Sequence, residues 1–242
     1  MPARLPDFLG LGTQKGGTTT LHQLLLQHPT VFLPTAKEVH YFDLQPQETP
    51  DWYRQHFKQA KPDQCCGEIT PFYLFHPGAP KRIQALLPNV KLVVLLRDPV
   101  ERALSQIFHA RRHGFEKLTP AEAIAAESER LASGDLVSLQ KHSYLARSRY
   151  LEQLDRYETL FPPTQLLVLQ SEALFRQPQT IWNTLQCFLE LPTIPLPTLP
   201  VANAGKGESS NVDPGLRSEL RSMFATTASG VRERYGFGWD WA

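Results

Sequence analysis

The sequence is short of the features that would place it in a membrane, in a disulfide-bonded scaffold or on a polyanion. Cysteine is scarce: three residues in 242, two of them adjacent at Cys65 and Cys66, a poor disulfide framework that points to reduced thiols and a cytoplasmic setting. No apolar run approaches the length of a membrane span. The start, MPARLPDFLGLG, lacks a charged segment followed by a long apolar stretch, so no signal peptide is expected. Charge is balanced, with 25 Lys and Arg against 24 Asp and Glu. No overall field argues for nucleic acid or a membrane surface as partner, and any anion site must be local. Repeats and low-complexity tracts are absent. The chain reads most simply as one domain, 1–242, long enough for a substantial core.

What is present is an alternation of apolar runs and helical patterns. FLGLG (8–12) reads as a buried strand entering a glycine turn, and a helix follows from Thr18 to about Gln27, stopped by His28-Pro29. KLVVLL (91–96) is a continuous apolar run of the kind buried on both faces of a parallel sheet. It leads into Arg97-Asp98-Pro99, where Asp98 suits an N-cap and Pro99 the first helical position, and the helix runs through VERALSQIFHARRH. Thr119-Pro120-Ala121-Glu122 is a capping box that opens a helix to about Ser133. Further helices are expected at 143–161, 178–191 and 214–228, with a strand at 165–170. The stretch 192–214 is too rich in proline, glycine and small polar residues for regular structure, and long loops of this kind often form lids or ligand-binding segments. The fold class that results is α/β, a P-loop-like central parallel sheet flanked by helices. Ligands in such sheets bind beyond the carboxyl ends of the strands, where the first loop and Arg97 both fall.

The loop GLGTQKGGTTT (10–20) carries the first candidate chemistry. From Gly12 it reads G-T-Q-K-G-G-T-T, so Thr18 stands where a Walker A loop has its lysine, and Lys15 sits inside the loop. A glycine turn between strand and helix aims backbone N–H groups at one point, and the helix N-terminus adds partial positive charge. Gly16 and Gly17 let the backbone approach an anion, Thr18, Thr19 and Thr20 supply hydroxyls, and Lys15 supplies a full charge. No aspartate ends an apolar strand in the Walker B manner to hold Mg²⁺. The first polar residue after KLVVLL is Arg97, which attracts a second anion. Two anion sites without an evident metal site weigh against a nucleotide-dependent kinase with a divergent loop, which stays as the alternative.

KGGTTTLHQLLLQHP, KEVHYFD and KLVVLLRDPVERALS, in this order, resemble the sulfotransferases that use 3′-phosphoadenosine-5′-phosphosulfate (PAPS). The likeness is greatest to the carbohydrate branch that includes heparan sulfate glucosaminyl sulfotransferases. Fainter likeness runs through GEITPFYLF, YLEQLDRYETLFPPTQLLVLQSEAL, GKGESSNVDP and the terminal WDW, so it spans most of the chain. The resemblance implies that Lys15 to Thr20 cradle the 5′-phosphosulfate and that Arg97 and Ser105 bind the 3′-phosphate. It matches Lys206 and Gly207 to a donor-binding Lys-Gly. It implies PAPS as donor, adenosine 3′,5′-bisphosphate (PAP) as product, no required metal, and a carbohydrate or small-molecule acceptor presenting a hydroxyl or amine. Glu38 matches the catalytic base, with His40 on the same side two residues on if the stretch is extended. Lys15 is then the candidate to stabilise charge on the departing oxygen. Asp43 is placed to orient His40 or another donor within the site, and Lys37 is a solvated neighbour or acceptor contact.

Two positions depart from the branch. Ile69 stands where a lysine usually precedes Thr-Pro, with Glu68 before it, and Glu208 stands where an arginine is common. Loss of that lysine keeps open a protein that binds PAPS without catalysis. His109 and His113, spaced i, i+4, lack a third ligand and an H-E-x-x-H pattern, so zinc is not expected. Arg111 and Arg112 suit the helix C-terminus or an anionic acceptor. Trp52, Tyr53 and Phe72 read as core aromatics or stacking platforms, and Ser143, Tyr144, Arg149 and Tyr150 as packing or a cleft border.

Overall fold

Five strands, all parallel, form one sheet in the order β2-β3-β1-β4-β5. They are β1 (Phe8–Gly12), β2 (Val31–Phe32), β3 (Cys65–Ile69), β4 (Lys91–Leu96) and β5 (Leu166–Gln170). The computed structural model describes residues 4–199 and 208–241, so Lys206 and Gly207 lie outside the described residues. By contact the chain falls into two units, Met1–Leu96 with Gln153–Ala202, and Arg97–Glu152 with Asn203–Ala242. The sheet belongs entirely to the first unit, and the α/β architecture is the one the alternating pattern predicts.

In the first unit, helices cover the sheet because each strand offers apolar side chains to both faces. On one face Phe8, Ile69, Val93, Leu95 and Leu169 pack with Leu21, Leu24 and Leu25 of α1 (Thr18–Leu26) and with Ile181, Trp182 and Leu185 of α10 (Pro178–Phe188). α3 (Phe72–Phe75) also packs against β1. Tyr157 of α8 (Tyr150–Glu158) donates to the Tyr73 carbonyl at 2.7 Å. Two short helices, α2 (Pro50–Gln55) and α4 (Ala79–Leu86), and α9 (Ser171–Arg176) complete the unit. The proline-rich stretch after α10 is a strap over the core as far as it is described. Ile194, Leu196 and Leu199 pack on the apolar cluster, and Trp182 donates to the Ile194 carbonyl at 3.1 Å. Gln27 donates to the Thr198 carbonyl at 3.1 Å.

The second unit is helical. Asp98 caps α5 (Pro99–Arg112), accepting from Val100 and Glu101 N–H at 2.8 and 3.1 Å. The Thr119–Glu122 capping box opens α6 (Pro120–Ala132) as its sequence predicts. A continuous helix over 143–161 does not form. After α7 (Leu136–Lys141) the chain makes a 3-10 turn at Ala146–Ser148 before α8 begins. Side chains have taken the backbone groups that a helix would use. Glu127 accepts from Leu145 and Ala146 N–H at 2.6 and 2.8 Å. The fully buried Arg102 donates to the Tyr144 carbonyl and to Ser148 Oγ. The last helix, α11 (Pro214–Tyr235), runs past the expected end at 228. Gly230 does not stop it, because it is where Leu151 presses in: a Cβ there would lie 2.5 Å from Leu151 Cδ1. The stop comes at Gly236, whose φ of 74° closes the helix in the left-handed conformation.

β1 and β3 are locked by one pair. Phe8 lies opposite Gly67, and a Cβ at Gly67 would stand 2.2 Å from the Phe8 ring. Gly67→Ala should therefore lower stability by about 1–3 kcal/mol through overpacking, read as a lower midpoint in urea. Phe8→Leu in the same chain should recover part of that loss, and additive effects of the two changes would contradict the contact.

Candidate active site

The loop from β1 to α1 is shaped by close backbone approaches. Thr13 N–H donates to the Leu95 carbonyl and Gly16 N–H to the Thr13 carbonyl, both at 2.9 Å. A Cβ at Gly16 would lie 2.9 Å from each of those two carbonyl oxygens, so only glycine fits. Gly17 is the N-cap of α1 in the left-handed region, φ 89°, and supplies no side-chain cap; the first turn carries no acidic residue. The first N–H groups of α1, among them those of Thr18, Thr19 and Thr20, have no partner inside the helix and carry the positive end of its dipole. Lys15 sits in this turn at φ 68°.

Glu38, His40 and Asp43 come together in the same unit. Lys37 Nζ stands 3.0 Å from Glu38 Oε1, and His40 Nε2 lies 3.4 Å from Glu38 Oε2. His40 Nδ1 is 3.0 Å from both oxygens of Asp43, whose side chain is fully buried. The imidazole thus bridges two carboxylates, with Asp43 orienting it as the sequence suggests. The stretch is not extended, so the condition for His40 to share a strand face with Glu38 is not met. His40 has φ 59°, and its carbonyl accepts from Leu44 and Gln45 N–H at 3.1 and 2.9 Å, so the two side chains meet across a tight turn.

These contacts set the charges. Burial disfavours charge on Glu38, but hydrogen bonds and attraction from His40 and Lys37 outweigh it and bring the carboxyl down to about 2. Burial likewise opposes the His40 imidazolium, and the hydrogen bonds and charges of Asp43 and Glu38 raise it to about 9. His22 of α1 is the opposite case: burial and the Lys37 charge lower it to about 4. A neutral imidazole therefore borders the pair, and its Nε2 is buried without a hydrogen-bond partner.

Arg97 and Ser105 belong to the second unit. Arg97 directly precedes α5, half-buried, with its carbonyl accepting from Tyr150 Oη at 2.7 Å. Ser105 lies half-buried within α5. Asp98 caps the helix and accepts from Trp241 Nε1, and Glu101 pairs with Arg217. His109 and His113 have their ring centroids 4.3 Å apart, and no metal-holding group of three ligand side chains occurs among the described residues. Tyr53, Phe72, Ser143, Tyr144 and Tyr150 are packing residues, each buried, while Trp52 and Arg149 keep part of their surface in solvent.

The sequence reading passed over His22, Thr70 and Tyr73. Their signals were weak: His22 is one turn beyond Thr18 on α1, and Thr70 and Tyr73 follow a glutamate at the end of an apolar strand. Ile69, by contrast, is fully buried in the core cluster, so its side chain lies on the sheet face opposite Glu68 and Thr70.

The fold is thus a parallel α/β sheet with a glycine turn after its first strand, and the same unit holds a carboxylate fixed by a lysine and an imidazole. The chain belongs to the sulfotransferase family: the model of the sulfotransferase domain matches residues 5–202. It is 28% identical to the membrane-associated sulfotransferase kil1 of Dictyostelium discoideum, over 77% of this chain and 56% of that protein. It is 32% identical to the human bifunctional heparan sulfate N-deacetylase/N-sulfotransferase 3, over 77% of this chain and 22% of that protein. The chain thus spans about half the length of the first relative and about a fifth of the second. The crystal structure of a sulfotransferase from Alicyclobacillus acidocaldarius superposes with a TM-score of 0.85 at 27% identity, covering 98% of this chain and 99% of that one. Among the described residues no helix is long and apolar enough to cross a membrane.

His40 titrates at about 9 in the folded protein against an ordinary 6.5. Its imidazolium therefore adds stability that is complete below pH 6.5 and lost as pH rises through 9. The Glu38 carboxylate, lowered from 4.5 to about 2, adds stability that is present above 4.5 and lost as pH falls through 2. Urea midpoints of the wild type and His40→Asn should accordingly converge between about pH 6 and about pH 10. Parallel curves across that window would remove the ion contacts of His40.

Proposed function

We propose that the chain, acting as one sulfotransferase domain over 1–242, moves a sulfuryl group from PAPS to a hydroxyl or amine of a carbohydrate or small-molecule acceptor. The observation that carries this reading is Glu38, held ionised by Lys37 and by the His40–Asp43 pair in the unit that also holds the uncapped, glycine-lined N-terminus of α1. Family membership supports the reaction class, and the name of the human relative supports a saccharide acceptor. The free thiols Cys65, Cys66 and Cys187 support a cytoplasmic setting. Family membership also disfavours the kinase alternative.

In the proposed reaction the acceptor oxygen or nitrogen bonds to sulfur as the bond from sulfur to the bridging phosphate oxygen breaks, the two in line. The acceptor proton passes to Glu38. Its low proton affinity in the open site rises when an anionic sulfuryl group approaches and water is excluded. His40 fixes one carboxylate oxygen and keeps its charge beside it. The charge that appears on the leaving phosphate oxygen is met by Lys15 and the N–H groups of the loop. Gly16, Gly17, Thr18, Thr19 and Thr20 take the 5′-phosphosulfate, and Arg97 and Ser105 the 3′-phosphate, for which a guanidinium fork is suited. Lys206 and Gly207 are assigned to the same donor.

Titration calorimetry with PAP, 5′-AMP and ATP–Mg²⁺ tests the donor. Wild type should prefer the bisphosphate, and Arg97→Ala and Lys15→Ala should weaken it. Tight ATP–Mg²⁺ binding without that preference would end the reading. Glu38→Gln should keep the PAP affinity while transfer of radiolabelled sulfate to saccharide acceptors drops about 10²- to 10⁴-fold. An unchanged rate would remove Glu38 as the base.

A further inference from the structure

Resting on the reading of residues 38–43 as the acceptor-activating segment, we propose that the buried carboxylate of Glu68 is the positioning residue for that segment. It acts through the hydroxyls of Thr70 and Tyr73. Glu68 lies near the carboxyl end of β3 and is fully buried. Its partners are neutral hydroxyls: Oε1 accepts from Tyr53 Oη at 2.9 Å and Tyr73 Oη at 2.8 Å, and Oε2 from Thr70 Oγ1 at 2.6 Å. Two of these hydroxyls also hold the backbone of the 38–43 turn. Thr70 Oγ1 accepts from Val39 N–H at 3.1 Å and, at the longer 3.5 Å, from His40 N–H. Tyr73 Oη accepts from Tyr41 N–H at 2.9 Å and from Phe42 N–H at 3.5 Å.

The direction of these bonds makes the carboxylate more than a filler. A hydroxyl has one hydrogen, and a backbone N–H can only donate. Thr70 and Tyr73 receive N–H groups at their oxygens, so each must send its own hydrogen elsewhere, and Glu68 accepts both. Burial raises the Glu68 carboxyl above its ordinary value, and the hydroxyls of Thr70, Tyr73 and Tyr53 pull against that rise. In its ionised form, which only accepts, the carboxylate fixes the polarity of the whole chain of bonds. It turns lone pairs towards Val39 and Tyr41 and so holds the turn in which His40 adopts φ 59°. That turn is what brings His40 Nε2 to Glu38 and His40 Nδ1 to Asp43. Glutamine in place of Glu68 keeps the shape and breaks the logic. Its amide must donate, so a hydroxyl loses its acceptor, and a buried unpaired group costs more than a bond lost to water.

The groups facing His40 are Asp43 and Glu38, with Lys37 on the far side of Glu38, so the imidazole itself reports the turn. The test is an NMR titration of the His40 ring in wild type, Glu68→Gln, Thr70→Val and Thr70→Ser. It is set beside kcat, KM for the donor, and calorimetry with PAP. In Glu68→Gln and Thr70→Val the His40 midpoint should move down from its value near 9 towards 6.5, and kcat should fall about 100-fold. Donor KM and PAP affinity should stay as in wild type. Thr70→Ser, which restores the hydroxyl, should keep the wild-type midpoint. An unmoved His40 midpoint in folded Glu68→Gln or Thr70→Val would overturn the proposal. Should Glu68→Gln not fold, Thr70→Val against Thr70→Ser decides it alone. If wild type neither binds PAP nor transfers sulfate, the functional reading fails, while the His40 titration still decides the role of Glu68.

Discussion

Parallel pairing of β3, β1 and β4 is the constraint on which the rest depends. It brings the carboxyl ends of three strands to one edge of the sheet, and each end hands the chain to a different task. β1 delivers the glycine turn and the N-terminus of α1, β3 delivers Glu68 and Thr70, and β4 ends where the chain leaves for the second unit. The pairing holds because the strands are nearly free of polar side chains, and because the two large contacts that could push them apart are met by glycine. Gly67 makes room for the Phe8 ring and Gly10 for Ile69. A parallel sheet buried on both faces has to place its chemistry at the strand ends, since its faces are occupied by packing.

At that edge the governing effect is electrostatic competition. Burial acts against charge on both Glu38 and His40, and in each case hydrogen bonds and an opposite charge win. His22 shows the other outcome: burial and the Lys37 charge outweigh the attraction of Glu38 and leave it neutral. Two carboxylates around one imidazole hold the proton on His40, so Glu38 is left ionised. A carboxylate fixed by one imidazole and one ammonium is oriented but still a poor base in the open site. In the proposed reaction a second anion, the incoming sulfuryl group, is what would raise its basicity.

Much of this was legible in the sequence because it rests on local signals. Continuous apolar runs gave β1, β4 and β5, the Thr119–Glu122 box gave α6, and Asp98-Pro99 gave the start of α5, each decided within a few residues. The glycine turn was legible for the same reason, as Gly16 answers to carbonyls three residues before it and at the end of a strand. The 143–161 segment was misread as one helix because its backbone is claimed by Arg102 and Glu127, which are distant in sequence. β2 and β3 escaped notice because one is two residues long and the other reads CCGEI, with a charge at its end. Glu38, His40 and Asp43 were found by resemblance, but the turn that makes them meet depends on hydroxyls some 30 residues away. No periodicity in KEVHYFD encodes that.

Ile69 shows how a departure from the resembling branch can follow from the fold. On the pleated strand Thr70 faces the turn of residues 38–43 and Glu68 holds its hydroxyl, while Ile69 lies in the apolar cluster that also contains Phe8, Val93 and Leu21. A lysine ammonium at that position would have to leave an apolar core or be buried unpaired, at a cost of several kcal/mol. Isoleucine instead fills the space against Gly10, where a Cβ would stand only 2.8 Å from its Cγ1. The positive charge the strand end forgoes is found against Glu38 itself, on Lys37 and His40. There it is fixed by the turn that Thr70 and Tyr73 hold. In this chain the segment GEITPFY therefore contributes order to the site through its hydroxyls and its buried carboxylate, and the cations come from KEVH.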